Sequence, residues 1–275
     1  MQFGSKPSPG VLFDCSMGDR IDDALALALL FGLQGKGDSR VAAVTTSKPC
    51  LSSAACCDLL VRFYTGDPGP FGVPMAIGMA TQGSDTKETP MLAAPLAKPA
   101  YVRAVHKLND TADPAAVIRN ALTAQFDQNA IMVMTGAASN LAAFLKLPDA
   151  KDLIRQKVRL LCVTSEPPAG WPGPVVKVPK EVGEAVAFPA AALDKEFAWA
   201  PQHPVADAWR AADPALHDAP STAVAAALYA VRPDQGYFKL ENRTLTFDPA
   251  QKEKVLQAYV ELAATKPVPR RGRRG

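Results

Sequence analysis

Short, continuous apolar runs alternate with longer Ala/Leu-rich or amphipathic segments along the first two-thirds of the chain. The runs predict buried strands at residues 10–14, 40–46, 73–78, 130–135 and 158–164. The other segments predict helices at residues 22–33, 52–66, 113–126, 139–147, 189–200, 221–231 and within 250–264. Uniformly apolar strands that alternate with helices are typical of a parallel sheet that is covered on both faces. The predicted fold class is therefore α/β: a mostly parallel open sheet with helices on both faces.

The connections between these elements are short, and the composition does not change abruptly along the chain. A chain of 275 residues, 48% of them apolar, can bury one large core, so residues 1–265 are predicted to form a single domain. Residues 165–184 are rich in proline and glycine, and no element is predicted there. No run approaches the ~18 apolar residues of a membrane span. The first ten residues also lack the layout of a signal peptide, which indicates a cytoplasmic protein.

The positive net charge of the chain comes from its C-terminal end. Residues 266–275, KPVPRRGRRG, hold five basic side chains, so the net charge of +3 leaves the rest of the chain at −2. A basic Pro/Gly tail could contact nucleic acid or acidic lipid, but such a segment is more often solvated and disordered. Since the rest of the chain shows no basic stripe, we expect a disordered tail and no nucleic-acid partner.

Neither cysteine nor histidine indicates a metal or redox centre. The chain has five cysteines without paired spacing and three histidines, none of which has metal-ligand spacing with another. We expect the cysteines to be small, buried apolar side chains.

Four aspartates lie where the first predicted strand leads into the first predicted helix, in VLFDCSMGDRIDDALALALLFGL. Asp14 ends the strand, Asp19 follows in the turn, and Asp22 and Asp23 open the helix. Ligands of parallel sheets bind beyond the carboxyl ends of the strands. Carboxylates this close together repel each other unless a cation, a polar ligand or water compensates their charge. The pattern favours a functional site, although acids at a helix start also serve as ordinary caps.

Four segments of the chain resemble the inosine/uridine-preferring nucleoside hydrolases. They are DCSMGDRIDDALALALL, VAAVTTSKPC, IMVMTGAASNLAAFLKLPD and PSTAVAAALYAVRPDQGYF, in the order that the family has them. The resemblance implies a nucleoside hydrolase-like fold and hydrolysis of the N-glycosidic bond of ribonucleosides. It also implies a calcium ion, held by carboxylates and a threonine carbonyl, that orients the ribose hydroxyls and the attacking water.

The first segment supplies the implied catalytic positions. Asp14 matches an aspartate that supports the site, and Ser16 falls where the family has the aspartate that is both base and metal ligand. Asp22 matches the ribose-binding aspartate, and Asp23 matches the bidentate metal ligand.

The other segments supply the remaining implied contacts. Thr135 matches the threonine whose carbonyl reaches the metal, and Cys50 stands where a ribose-contacting asparagine is expected. Ala223 occupies the position of a lost metal-ligand aspartate, after Thr222 at a substrate-binding position. Glu184 is the nearest match to the glutamate that holds the ribose.

Two of the three implied calcium carboxylates are therefore replaced, by Ser16 and Ala223. A serine hydroxyl cannot accept a proton at neutral pH, and calcium affinity falls with the number of charged ligands. We expect calcium binding to be absent or weak and standard catalysis to be lost.

Three features could compensate for the missing carboxylates. Asp19 could move into the place of the lost base, and Asp218, after His217, could replace the lost metal ligand. The His217–Asp218 pair is more often a polar turn ahead of a helix. Arg20 could instead neutralise the remaining aspartates in place of a metal.

Two functions remain open from the sequence. The chain is either a divergent nucleoside hydrolase completed by Asp19 or Asp218, or an inactive relative that binds a ribosyl ligand or a protein partner. The resemblance also implies assembly into a homodimer or homotetramer. Residues 80–112 and 165–184 could move over the pocket.

Overall fold

The computed structural model describes residues 7–66 and 75–267. Its strands are β1 (Gly10–Cys15), β2 (Arg40–Thr46), β3 (Ile77–Met79), β4 (Ala130–Met134), β5 (Val158–Val163), β6 (Val175–Lys177), β7 (Lys239–Glu241) and β8 (Thr244–Thr246). Within the described residues they form one eight-stranded sheet in the order β3-β2-β1-β4-β5-β6-β8-β7. Neighbouring strands are parallel except for the antiparallel pair β7 and β8. The predicted α/β class and mostly parallel sheet are confirmed.

Helices cover both faces of this sheet. They are α1 (Ile21–Gly35), α2 (Leu51–Thr65), α3 (Pro90–Leu96), α4 (Pro114–Thr123), α5 (Ser139–Phe144), α6 (Ala150–Lys157), α7 (Lys180–Ala185), α8 (Ala192–Glu196), α9 (Pro204–Ala212), α10 (Thr222–Val231) and α11 (Lys252–Ala263). The helix α4 shows the local reason for one of these boundaries. The Asp113 side chain accepts a hydrogen bond from the Ala116 N–H at 3.0 Å, and Pro114 occupies the first turn.

The central strand β1 separates two apolar cores. All six of its residues are buried, and successive side chains point to opposite faces. Val11 and Phe13 pack into a core with α1, whereas Leu12 packs into a second core with α4 and α6. Because β1 is buried on both sides, its whole run is apolar until Asp14.

The sequence pattern missed several short elements. The interval 165–184, where no element was predicted, contains β6 and α7. These elements have only three and six residues, which is too short for a clear periodic pattern. The helix α9 and the β7–β8 hairpin were also not predicted. Residues 73–74 of the predicted third strand and residues 268–275 of the predicted tail lie outside the described residues.

The five cysteines are buried and none forms a disulfide. The sulfurs of Cys15 and Cys57 lie 3.9 Å apart, well beyond the length of a disulfide bond. Burial raises the pKa of the Cys56 and Cys162 thiols well above the usual range. These thiols therefore act as small apolar side chains. No helix in residues 7–66 or 75–267 has the length and apolarity needed to span a bilayer.

The first helix lies so close to the last one that only glycine fits at one position. A Cβ atom added to Gly32 of α1 would lie 1.9 Å from the Leu262 carbonyl oxygen of α11. The obstacle is backbone, which cannot rotate aside as a side chain can.

We predict that Gly32→Ala lowers the free energy of unfolding by at least about 2 kcal/mol, because α1 and α11 must separate. Denaturant unfolding measures the change. Gly37→Asn is the matched control: Gly37 lies just beyond α1 with φ +83° and open space around it, and asparagine tolerates that backbone region. Equal stability of the two variants would contradict the close contact.

Candidate functional site

A cavity of about 550 Å³ opens beyond the carboxyl ends of the central strands. Its wall is formed by loops that follow β1, β2, β3, β4 and β5, where a parallel sheet places its ligands. Much of this wall consists of hydroxyl side chains. They are Ser16, Ser47, Ser84, Thr135, Ser139, Thr164 and Ser165. Such a wall can both donate and accept hydrogen bonds.

Asp14, near the carboxyl end of β1, has almost no exposure to solvent. Its Oδ1 accepts hydrogen bonds from Thr45 Oγ1 at 2.6 Å and from Asn140 Nδ2 at 2.7 Å. Its Oδ2 is buried and has no partner among the described residues. Burial raises the pKa of Asp14 to about 7, although the two hydrogen bonds oppose the shift.

Asp23 joins the first helix to the ends of β1 and β4. Thr135 Oγ1 donates to its Oδ1 at 2.6 Å. The Ser16 N–H donates to its Oδ2 at 3.2 Å, and Ser16 Oγ also lies 3.4 Å from that oxygen. Burial raises the pKa of Asp23 above its ordinary value. The chain's own donors therefore occupy both oxygens of this carboxylate.

Asp22 makes a different long-range contact, at the start of α10. The N–H groups of Ala223 and Val224 donate to its two carboxylate oxygens at 2.7 and 3.2 Å. The first N–H groups of a helix have no partner within the helix, so Asp22 supplies one from another element. Burial raises the pKa of Asp22 to about 7. Asp22 thus fixes α1 to α10.

Arg20 supplies part of the compensating charge. One of its guanidinium nitrogens lies 3.9 Å from the Asp22 carboxylate, while the side chain remains 54% exposed. Its positive charge lowers the pKa of both Asp22 and Asp23, against the larger effect of burial. This contact agrees with the neutralising role that the sequence leaves open for Arg20.

Lys48 is a site residue that the sequence analysis missed. Its Nζ lies 2.6 Å from Asp19 Oδ1 and 2.7 Å from Asp85 Oδ2, and its side chain is only 3% exposed. Burial alone would lower the pKa of Lys48, but its bonds to the two carboxylates raise it overall. The signal in the sequence was a single charged residue, two positions after the end of β2.

Solved structures with a similar backbone include the type III effector protein XopQ, complexed with adenosine diphosphate ribose. Its TM-score is 0.69 at 14% sequence identity, over 96% of each chain. An inosine-uridine preferring nucleoside hydrolase from Bacillus anthracis has a TM-score of 0.65 at 11% identity, over 93% of this chain and 99% of its own. An inosine-guanosine nucleoside hydrolase has a TM-score of 0.61 at 15% identity, over 92% and 98%.

The chain has the nucleoside hydrolase fold. No protein-family model matches the sequence, and no curated protein matches it significantly. The likeness is therefore one of backbone architecture. At the level of the fold, it confirms the resemblance that the four sequence segments indicate.

Within the nucleoside hydrolase fold, some of the implied ligand-contact positions lie at the cavity and others do not. Ser16, Asp19 and Thr135 line the cavity. Cys50 is buried at the start of α2, and Glu184 is exposed, with Lys180 at 3.9 Å. Neither belongs to the described residues that form the cavity wall.

The implied positions on α10, Thr222 and Ala223, are buried and do not line the cavity among the described residues. Thr222 packs against α7, where a Cβ added to Gly183 would lie 2.2 Å from Thr222 Oγ1. The Ala223 side chain is fully buried, and its N–H is the group that binds Asp22. Where the resemblance implies a metal-ligand carboxylate, position 223 thus contributes a backbone N–H.

The His217–Asp218 pair makes local contacts. Asp218 Oδ1 accepts a hydrogen bond from the Ala190 N–H at 2.9 Å. His217 Nδ1 lies 3.0 Å from Asp213 Oδ2, four residues earlier. These contacts describe a polar turn ahead of α10, and neither side chain lines the cavity among the described residues.

The oxygen atoms at and around Asp23 do not fit the calcium site that the family resemblance implies. Both Asp23 oxygens accept hydrogen bonds from the protein, and the Thr135 carbonyl accepts one from Thr164 Oγ1 at 3.2 Å. Across residues 7–66 and 75–267, no group of three or more His, Cys, Asp or Glu side chains is arranged to hold a metal. Calcium takes six to eight oxygen ligands, several of them charged, and this arrangement does not supply them.

We predict that Asp14→Asn flattens the dependence of stability on pH between pH 4 and 7. An unfolded aspartate has a pKa near 4, whereas burial raises the pKa of Asp14 to about 7. The folded protein therefore binds more protons in this window, and the stability that protonated Asp14 contributes is lost as the pH rises toward 7.

The measurement is denaturant unfolding at several pH values, for the native protein and the variant. In this window, the free energy of unfolding of the variant should fall with pH less steeply than that of the native protein, by up to about 1 kcal/mol per pH unit. Parallel curves would show that Asp14 does not titrate in this range.

We predict that Asp22→Ala lowers the free energy of unfolding by about 2 kcal/mol at pH 5. Asp22 is largely protonated at this pH, so the variant mainly loses the hydrogen bonds of this side chain. The reason is that two N–H groups of α10 lose their buried acceptor. Asp113→Ala, which removes the exposed cap of α4, is the matched control and should cost about half as much. A smaller loss for Asp22→Ala than for this control would contradict the role of Asp22.

Proposed function

We propose that this protein is a nucleoside hydrolase-like protein that binds a ribosyl ligand without calcium-dependent hydrolysis. The observation that carries the proposal is the position of Asp14, Asp22 and Asp23. All three carboxylates are buried and hydrogen-bonded to the protein itself. None of the three belongs to the described residues that line the cavity.

The absence of an evident base supports the inactive alternative. Ser16 stands at the base position, and a hydroxyl cannot deprotonate water at neutral pH. Asp19 also lines the cavity, but its Oδ1 lies 2.6 Å from the Lys48 ammonium. This carboxylate oxygen is therefore engaged by the protein's own ammonium group.

The cavity itself supports binding. Its volume of about 550 Å³ falls within the range of small-molecule sites. Its hydroxyl side chains can exchange hydrogen bonds with ribose hydroxyls. XopQ, which shares this fold, was solved with adenosine diphosphate ribose, a compound that contains two ribosyl groups. A ribosyl compound is therefore the ligand class that we propose for this chain.

We predict that adenosine or a ribosyl nucleotide binds with 1:1 stoichiometry, and that its affinity in EDTA and in calcium agrees within about twofold. Titration calorimetry measures binding, and chromatography of the same samples detects any free base. Ser165→Trp, which fills part of the cavity wall, should abolish binding. Thr123→Trp, on the exposed surface of α4, is the matched control and should leave binding unchanged.

Two results would overturn the proposal. Calcium-dependent release of free base would show that the chain is an active hydrolase, with Asp19 as the first residue to test as base. Failure of every ribosyl compound to bind would remove the ligand class.

A further inference from the structure

Lys48 places a buried positive charge in the wall of the cavity. Its side chain is 3% exposed, and it comes from the loop after β2. Its two partners come from different loops: Asp19 follows β1, and Asp85 follows β3. All three residues line the same cavity. A ligand in the cavity therefore meets this ion-pair cluster directly.

The three members of the cluster differ in their freedom to move. The carboxylate side chains of Asp19 and Asp85 are 41% and 51% exposed, so each can rotate into water. Ion pairs of exposed carboxylates contribute little net stability, whereas the Lys48 stem is enclosed by protein. The ammonium is thus the fixed part of the cluster, and its two partners are the exchangeable part.

The Lys48 ammonium also has donor capacity left. An ammonium has three N–H donors, and among the described residues these two carboxylates take two of them. Arg20 adds a second cation to the cavity wall, with 54% of its side chain exposed. A neutral nucleoside has no group that needs two cations. A phosphate has charged oxygens that bind both ammonium and guanidinium groups strongly.

We propose that the cavity selects a phosphorylated ribosyl ligand, of the nucleoside diphosphate class, whose phosphate binds the Lys48 ammonium and displaces Asp19 and Asp85. The two carboxylates hold the ammonium in place when no ligand is bound. No bond is made or broken. This inference rests on the proposed function, since it specifies the ligand of the same cavity.

The test compares adenosine, ADP and inorganic pyrophosphate by titration calorimetry on the full chain in EDTA. We expect ADP to bind about tenfold or more tightly than adenosine, because a hydrogen bond to a charged group is stronger than one between neutral groups. Pyrophosphate should bind more weakly than ADP, since it lacks the ribosyl part.

Variants identify the residue responsible. Lys48→Met should remove the preference for ADP over adenosine. Lys36→Met is the matched control. Lys36, at the end of α1, forms an exposed ion pair with Glu261 of α11, and its removal should leave the affinities for adenosine and ADP unchanged. Asp85→Asn should strengthen ADP binding several-fold, because it removes a competitor for Lys48. Asp85 is half exposed, so this variant tests the inference even if Lys48→Met does not fold.

Three results would overturn the inference. They are equal affinity of the native protein for adenosine and ADP, an unchanged preference in Lys48→Met, and pyrophosphate binding as tight as that of ADP. Equal, measurable binding of adenosine and ADP would leave the proposed function standing. Failure of all ribosyl compounds to bind would instead remove the proposed function itself.

Discussion

Burial of three aspartates at the carboxyl end of one strand is the constraint on which this site depends. A buried carboxylate is costly unless donors reach it. Asp14 takes donors from β2 and α5, Asp23 takes one from the end of β4, and Asp22 takes two from α10. The carboxylates therefore connect elements that are far apart in the chain. They hold the carboxyl end of the sheet together.

The same contacts show how this chain keeps the nucleoside hydrolase fold without the carboxylates that the resemblance implies at two positions. Ser16 stands where the family resemblance implies a carboxylate, and it donates to Asp23. Ala223 stands at another such position and donates its N–H to Asp22. In both places the protein supplies a hydrogen-bond donor to a buried aspartate, where the resemblance implies a further carboxylate. Function resides in the site and not in the fold, and here the three buried aspartates accept hydrogen bonds from the protein itself.

The charged side chains that line this cavity come from the loops that follow the strands. Lys48, Asp19 and Asp85 form an ion-pair cluster in three loops, and Arg20 contributes a further cation. Because loops carry this cluster, its members can be exchanged without disturbing the sheet. The three buried aspartates do not line the cavity, whereas the Lys48 ammonium stands in its hydroxyl-lined wall and suits an anionic group. This difference in charge is the physical basis for proposing a different ligand on the same scaffold.

The sequence by itself determined the fold class and the end of the sheet where the site lies. Uniformly apolar strands require burial on both faces, and Asp14, at the end of β1, marks the carboxyl edge. Only the tertiary structure decided what each aspartate contacts. Asp22 meets α10, 201 residues away, and Lys48 meets Asp85, 37 residues away. Such partners are set by the packing of whole elements, which local periodicity and residue spacing do not encode.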